Sequence, residues 1–143
     1  MIFISSIWSF YQIYMVFIRY VKICSTVFTK TEFKELMAQR ILILDGAMGT
    51  EIQKHKLSEG DFRGSLYPEW HIELKGNNDL LTLTKPDLIK NIHQEFVDAG
   101  SDIIETNTFN SNKTSQSDYD LEDITYKLNY EGAKLAKEVA SNA

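Results

Sequence analysis

The apolar positions along this chain fall into two regimes. Through residue 18 they run almost unbroken, "MIFISSIWSFYQIYMVFI", with no charged residue from Ile2 to Ile18. From Ile41 onward they become periodic. "RILILDG" is apolar on both faces until it stops at Asp45, which predicts a short, fully buried strand. Residues 51–76 are polar and irregular, with Gly60, Gly64, Pro68 and Gly76, and predict a long loop of the kind compact domains keep only for a use. "NNDLLTLT" predicts a second strand. In "TKPDLIKNIHQEFVDAG", Thr84 can cap a helix, Pro86 suits its first turn, and Asp87 completes a capping-box-like spacing. Leu88, Ile89, Ile92, Phe96 and Val97 then share one helical face, and Gly100 is a natural terminator. "SDIIETNTF" predicts a third strand, and residues 121–140 a second helix with Leu121, Ile124, Leu128, Leu135 and Val139 along one stripe.

Strand, long loop, strand, helix, strand, helix is the alternation of an α/β fold with parallel strands and covering helices. Such folds place their ligands at the carboxyl ends of the strands. Two of the expected strands end in polar clusters: Asp45-Gly46-Ala47-Met48-Gly49-Thr50, and Glu105-Thr106-Asn107-Thr108. A carboxylate at the end of an apolar strand is costly to bury without a partner. A ligand ammonium group, a metal or a basic side chain would each serve. The glycines let backbone approach a ligand, and N–H groups there can bind a carboxylate. A carboxylate beside backbone amides suits an amino-acid zwitterion. The plainer reading is a strand-to-loop turn at Asp45-Gly46, a buried acid at Glu105 satisfied by its neighbours, and a capped loop at Thr106 to Thr108. The G-x-x-G spacing is neither a dinucleotide fingerprint nor a phosphate loop.

Charge and cysteine content narrow the classes. The 143 residues carry a net charge of −5, which gives no footprint for nucleic acid. Cys24 stands alone, so no disulfide framework and no thiolate-rich zinc site can form within the chain, and a cytoplasmic setting is the natural expectation. No His or acid lies at ligand spacing from Cys24, and His55, His71 and His93 are scattered, with His93 read as a surface or boundary residue of its helix. Trp70 is read as a packing anchor. Arg63 is the only arginine after Arg40 and is read as pinning the long loop rather than facing a ligand.

Residues 1–40 hold five basic and two acidic residues, whereas residues 41–143 are strongly acidic. The chain therefore divides into an apolar, basic extension over 1–37, helical or extended, and an organised domain over 38–143. The apolar run is short for a bilayer crossing, and Ser5, Ser6, Ser9 and Gln12 weaken that reading. No basic segment precedes it and no clear cleavage site follows, which argues against a secretory signal. The remaining readings are a membrane anchor through residues 2–18, a segment translated from upstream of a natural start near Met37, and an arm packed on the domain.

The blocks "RILILDGAMGTEIQ", "DFRG", "LKGNNDLL", "TKPDLIKNIHQEFVDAGSDIIETNTFNS" and "SDYDLEDITYKLNYEGAKLAKEVA" occur in this order. Together they closely resemble the N-terminal end of the homocysteine-binding domain of cobalamin-dependent methionine synthases, over about residues 38 to 142. The resemblance implies a (β/α)₈ TIM barrel, of which this chain would supply the first strands and helices, three of eight strands, leaving the barrel incomplete. It implies transfer of a methyl group from methylcobalamin, regenerated from methyltetrahydrofolate, to the homocysteine thiol. In that family zinc held by three cysteines favours the thiolate. Residue by residue, it implies that Asp45 takes the homocysteine amino group. The amides around Gly46, Ala47 and Met48 would take the carboxylate, while Glu105, Thr106 and Asn107 line the same mouth. The family's zinc cysteines lie later in the barrel and match nothing here, and the folate and cobalamin regions have no counterpart. The expectation is a fragment, inactive alone, with weak or no homocysteine binding and no cofactor of its own. The remainder of the barrel is its expected partner in trans. The competing expectation is a non-catalytic binding or membrane-attached module.

Overall fold

The computed structural model describes the backbone of residues 16–18 and all of residues 29–142. A first helix, α1 (Lys30–Gln39), starts at a capping box in which the Thr29 side chain accepts from the Glu32 N–H and Glu32 reaches back to Thr29. The boundary expected at residues 37/38 thus falls inside α1. The chain then runs extended through Ile41–Asp45 before the short helix α2 (Met48–Lys54). Helix α3 (Glu59–Arg63) opens on a second capping box, Ser58 with Asp61. A 3₁₀ turn (Asn78–Leu80) leads into α4 (Leu81–Thr84), then α5 (Pro86–Asp98). Strand β2 (Ile103–Glu105) follows, with its backbone antiparallel to β1 (Val16–Ile18). The short α6 (Lys113–Gln116) and two 3₁₀ turns precede the long α7 (Thr125–Ser141).

Three segments depart from the sequence reading. Residues 51–76 are not a bare loop: α2 and α3 lie in or across them, and α3 starts at the Ser58 capping box. "NNDLLTLT" is helical, not a strand. A short apolar run cannot be assigned by periodicity alone. Here Leu80 and Leu81 are both buried, and Thr84 Oγ1 bonds back to the Leu80 carbonyl, which closes a helical turn. With Thr84 spent on α4, Lys85 becomes the N-cap of α5 without a side-chain cap, and Pro86 takes the first helical position. Gly100 closes α5 with φ of 101°, a conformation that suits glycine.

The core forms where α4, α5 and α7 meet. Leu80, Leu81, Ile89 and Ile92 pack with Ile52, Phe62, Leu74, Leu121 and Leu135. A smaller cluster of Val97, Ile104, Ala136 and Val139 seats α5 and α7 against β2. The amphipathic stripes read for the two helices are therefore the buried faces. His93 belongs to that buried stripe as well, with no exposed surface, and is not a boundary residue. Its place four residues from both Ile89 and Val97 puts it on the core side of the helix.

Segment 41–45 is the third departure. It runs parallel to β2 through the Leu44–Ile103 bridge, as an α/β alternation requires. It is not fully buried: Ile41 is 87% exposed and Ile43 57%. A strand apolar on both faces is buried only when sheet neighbours and covering layers lie on both sides, and among the described residues its bonded neighbour is β2. Among the described residues no helix is long and apolar enough to cross a membrane. The membrane reading of residues 2–18 falls on residues outside those described, apart from the backbone of Val16–Ile18.

Candidate functional site

Backbone hydrogen bonds bring the two polar strand ends together. The N–H groups of Asp102 and Ile103 both donate to the Ile43 carbonyl, at 2.8 and 3.1 Å, and the Asp45 N–H donates to the Ile103 carbonyl at 2.8 Å. Upstream, the Arg40 guanidinium grips Asp102 with two bonds, Nη1 to Oδ2 at 2.7 Å and Nη2 to Oδ1 at 2.6 Å. Asp102 Oδ2 also accepts the Ile43 N–H at 3.0 Å. This planar clasp fixes the register of the two segments at their amino ends. At the carboxyl ends the register places Asp45 beside Glu105, whose N–H donates to Asp45 Oδ1 at 3.0 Å. The chain then turns into α2 through Ala47, which takes φ 41° and ψ 34°, a left-handed conformation that is uncommon for alanine and stores strain at the turn.

Opposite this turn lies a buried polar framework. Thr106 and Thr108 share a hydroxyl–hydroxyl bond of 2.6 Å. Asn107 Nδ2 donates to the Asn78 carbonyl at 2.8 Å and to Thr82 Oγ1 at 3.2 Å. The Asp79 carboxylate accepts from the Asn110 N–H and the Ser111 hydroxyl, each at 2.7 Å. Asn77 and Gln116 pair through their amides. The K-G-N-N-D and E-T-N-T-F-N-S blocks, remote in sequence, are thus tied face to face.

Between them is a cavity of about 280 Å³. All seven residues singled out from the sequence line it: Asp45, Gly46, Ala47 and Met48 from the turn, and Glu105, Thr106 and Asn107 from the end of β2. Thr108, from the polar run after β2, lines it too; Asn78 and Asp79 also line it and were missed. Their signal was the K-G-N-N-D block itself. Read as part of a strand, it pointed to no site; as a turn entering α4, it presents Asn78 and Asp79 to the cavity.

The cavity is electrostatically one-sided. Asp45, Asp79 and Glu105 line it, and among the described residues no Lys, Arg or His does. Burial pushes the Asp45 carboxyl up from its ordinary 3.8 to about 6; the Glu105 charge adds to this, and the Glu105 N–H bond opposes it. Burial also raises Asp79, against the pull of its bonds from Ser111 and Asn110. A cation entering this space would lower the cost of holding these carboxylates ionised.

The remaining candidates have structural places. Arg63 pins the segment after α3: Nη1 donates to the Trp70 carbonyl at 2.6 Å, Nη2 to the Ile72 carbonyl at 3.2 Å, and Nε pairs with Glu59 at 2.6 Å. Glu59 in turn accepts the N–H groups of Leu74 and Lys75, so the pinned segment delivers Gly76 to Asp79 to the cavity. Trp70 is a packing anchor, half-buried, with Nε1 donating to the Tyr119 carbonyl at 2.9 Å and an edge contact to Tyr67. His71 pairs with Asp120 at 2.7 Å, and His55 is exposed. Among the described residues no group of three His, Cys, Asp or Glu could hold a metal ion; Cys24 lies outside them.

Two strand ends and a polar turn thus enclose a small acidic cavity on a mostly helical scaffold. The homocysteine S-methyltransferase family model matches residues 42–143, and the chain belongs to that family.

Proposed function

We propose that the cavity binds the amino-acid end of homocysteine, and that the chain serves a homocysteine S-methyltransferase of the cobalamin-dependent methionine synthase type, built as a (β/α)₈ barrel. The observation that carries this reading is the pairing of the family match with an amino-acid-sized cavity lined by Asp45, Asp79 and Glu105 and, among the described residues, by no basic side chain. Such a lining favours an ammonium group. Asp45, at the end of its strand and oriented by the Glu105 N–H, is the acceptor placed for it. The turn amides around Gly46, Ala47 and Met48 are assigned the carboxylate on the strength of the resemblance. Thr106, Asn107 and Thr108 form a rigid polar wall that holds the substrate chain in one direction. The methionine synthase assignment rests on the D-G-A-M-G-T, K-G-N-N-D and E-T-N-T-F-N-S blocks and on their order.

Zinc and methylcobalamin supply thiol activation and the methyl group in that family. The described residues offer no ligand set for zinc, and a cavity of about 280 Å³ holds an amino acid rather than a corrin. No step through either group is assigned to these residues: they bind and orient.

Calorimetric titration of the chain with L-homocysteine, 4-mercaptobutanoate and 3-aminopropane-1-thiol tests the reading. The last two lack the amine and the carboxylate respectively. L-homocysteine should bind most tightly, and Asp45→Asn should abolish its advantage over 4-mercaptobutanoate. Equal binding of L-homocysteine and 4-mercaptobutanoate to the unaltered protein would refute an ammonium subsite.

A further inference from the structure

Helix α7 does not line the cavity, yet it lies directly behind the cavity wall. Its Gly132 is buried in the middle of a 17-residue helix. An interior glycine costs a helix about 1 kcal/mol relative to alanine, so its place on a packed face calls for a steric reason. A Cβ built at Gly132 would stand 2.7 Å from Thr108 Cγ2, 3.9 Å from Thr82 Cγ2 and 4.0 Å from Thr106 Cβ. The first contact is too short for any real side chain; the other two are ordinary. The bare backbone of α7 is therefore in contact with Thr108, the residue whose hydroxyl pairs with Thr106 in the wall. One turn earlier, Asn129 Nδ2 donates to the Ser111 carbonyl at 2.7 Å and to the Thr125 carbonyl at 2.8 Å. The same helix thus holds the 106–111 segment at two points.

We propose that Gly132 is a positioning residue for the site: its missing side chain sets how far the Thr106–Thr108 wall withdraws from the cavity behind Asp45. This rests on the amino-acid reading of the cavity given above. Any β-carbon at 132 must push Thr108 outward by about 0.7 Å to turn a 2.7 Å contact into an ordinary 3.4 Å one. Thr106 and Asn107 would move with it, because the Thr106 hydroxyl and the Asn107–Thr82 bonds are coupled to the same segment. The cavity side of the wall shifts while every residue touching the ligand keeps its identity.

The steric relation makes the test specific. Thr108→Ser removes the Cγ2 that the new Cβ meets and keeps the hydroxyl that pairs with Thr106. Gly132→Ala, Thr108→Ser and the double variant are compared in the 143-residue chain by two readouts: the amide chemical shifts of Thr106, Asn107 and residue 108, and the affinity for L-homocysteine. Gly132→Ala should displace those amide resonances and weaken L-homocysteine about tenfold, given how steeply sub-ångström misplacement acts in such sites. The double variant should return both readouts to those of Thr108→Ser alone. A folded Gly132→Ala with unmoved resonances and unchanged affinity overturns the proposal, as does a loss that Thr108→Ser does not reverse. Should Gly132→Ala fail to fold, recovery of the fold in the double variant supports the steric relation and non-recovery overturns it. An unaltered chain that binds no L-homocysteine refutes the amino-acid reading instead, and the chemical shifts then decide the positioning role by themselves.

Discussion

Replacing His93 by leucine should stabilise the protein, and the gain should grow as the pH falls. His93 is fully buried on α5, and neither ring nitrogen has a hydrogen-bond partner among the described residues. Burial lowers its pKa from 6.5 to about 4. Above pH 6.5 the ring is neutral in folded and unfolded chains alike, so the titration contributes nothing. As the pH falls through 6.5 the unfolded chain takes up a proton that the folded protein refuses, and stability drops until the folded ring is protonated near pH 4. A difference of 2.5 pH units, 6.5 less 4, corresponds to about 3 kcal/mol. Leucine of similar volume removes this loss, and at neutral pH it also removes the roughly 1–3 kcal/mol cost of an unpaired buried polar group. Asp45 works in the opposite sense: its raised pKa makes the folded protein bind a proton first, so it adds stability as the pH falls from about 6 towards 3.8. That contribution is common to both proteins and cancels in their difference. Urea unfolding of the two proteins at pH 7.5, 6, 5 and 4.5 measures it. A stability difference between them that does not change with pH would refute the reasoning.

Three further outcomes follow from the clasps and charges around the site. Asp102→Ala should cost more stability than Arg40→Ala, on the order of 3 against 1 kcal/mol, because Asp102 also accepts the Ile43 N–H and is the more buried partner; equal losses in chemical denaturation would contradict this. Arg63→Lys keeps the charge but loses the planar fork to the Trp70 and Ile72 carbonyls, so limited proteolysis should cut residues 64–77 several-fold faster. L-homocysteine affinity should fall as the pH drops below about 6, where Asp45 becomes protonated, and binding near pH 6 should release protons; calorimetry in buffers of different ionisation enthalpy detects this, and no release would count against Asp45 as the acceptor.

What could be read along the chain depended on whether the signal was local. The helix α5 was legible because its stripe of Ile89, Ile92 and Val97, its Pro86 start and its Gly100 stop are set within about fifteen neighbouring residues. The polar ends of the strands were legible for a similar reason: an acid or amide run after apolar residues marks where a strand leaves the interior. "NNDLLTLT" was not legible, because two adjacent leucines fit a buried strand and a buried helical turn equally well. It turned helical where its neighbours were α3, α5 and α7 rather than another strand. His93 was misjudged because a polar ring in an apolar stripe looks like a boundary residue, and only the packing of the helix showed both its nitrogens enclosed.

The sequence by itself determined the α5 and α7 stripes, the family blocks and seven residues of the cavity lining. Backbone caps, side-chain periodicity and strand-ending polar runs act over a few residues, and the chain carries them wherever it is placed. Only the tertiary structure decided that K-G-N-N-D faces E-T-N-T-F-N-S, that Asp79 joins Asp45 and Glu105 around one cavity, and that Gly132 stands against Thr108. Those relations join residues some 24 to 60 positions apart, and what sets them is the close packing of α7 and α4 behind the wall. Density of that kind leaves no room for a β-carbon at residue 132, while burial beside Glu105 raises the Asp45 pKa.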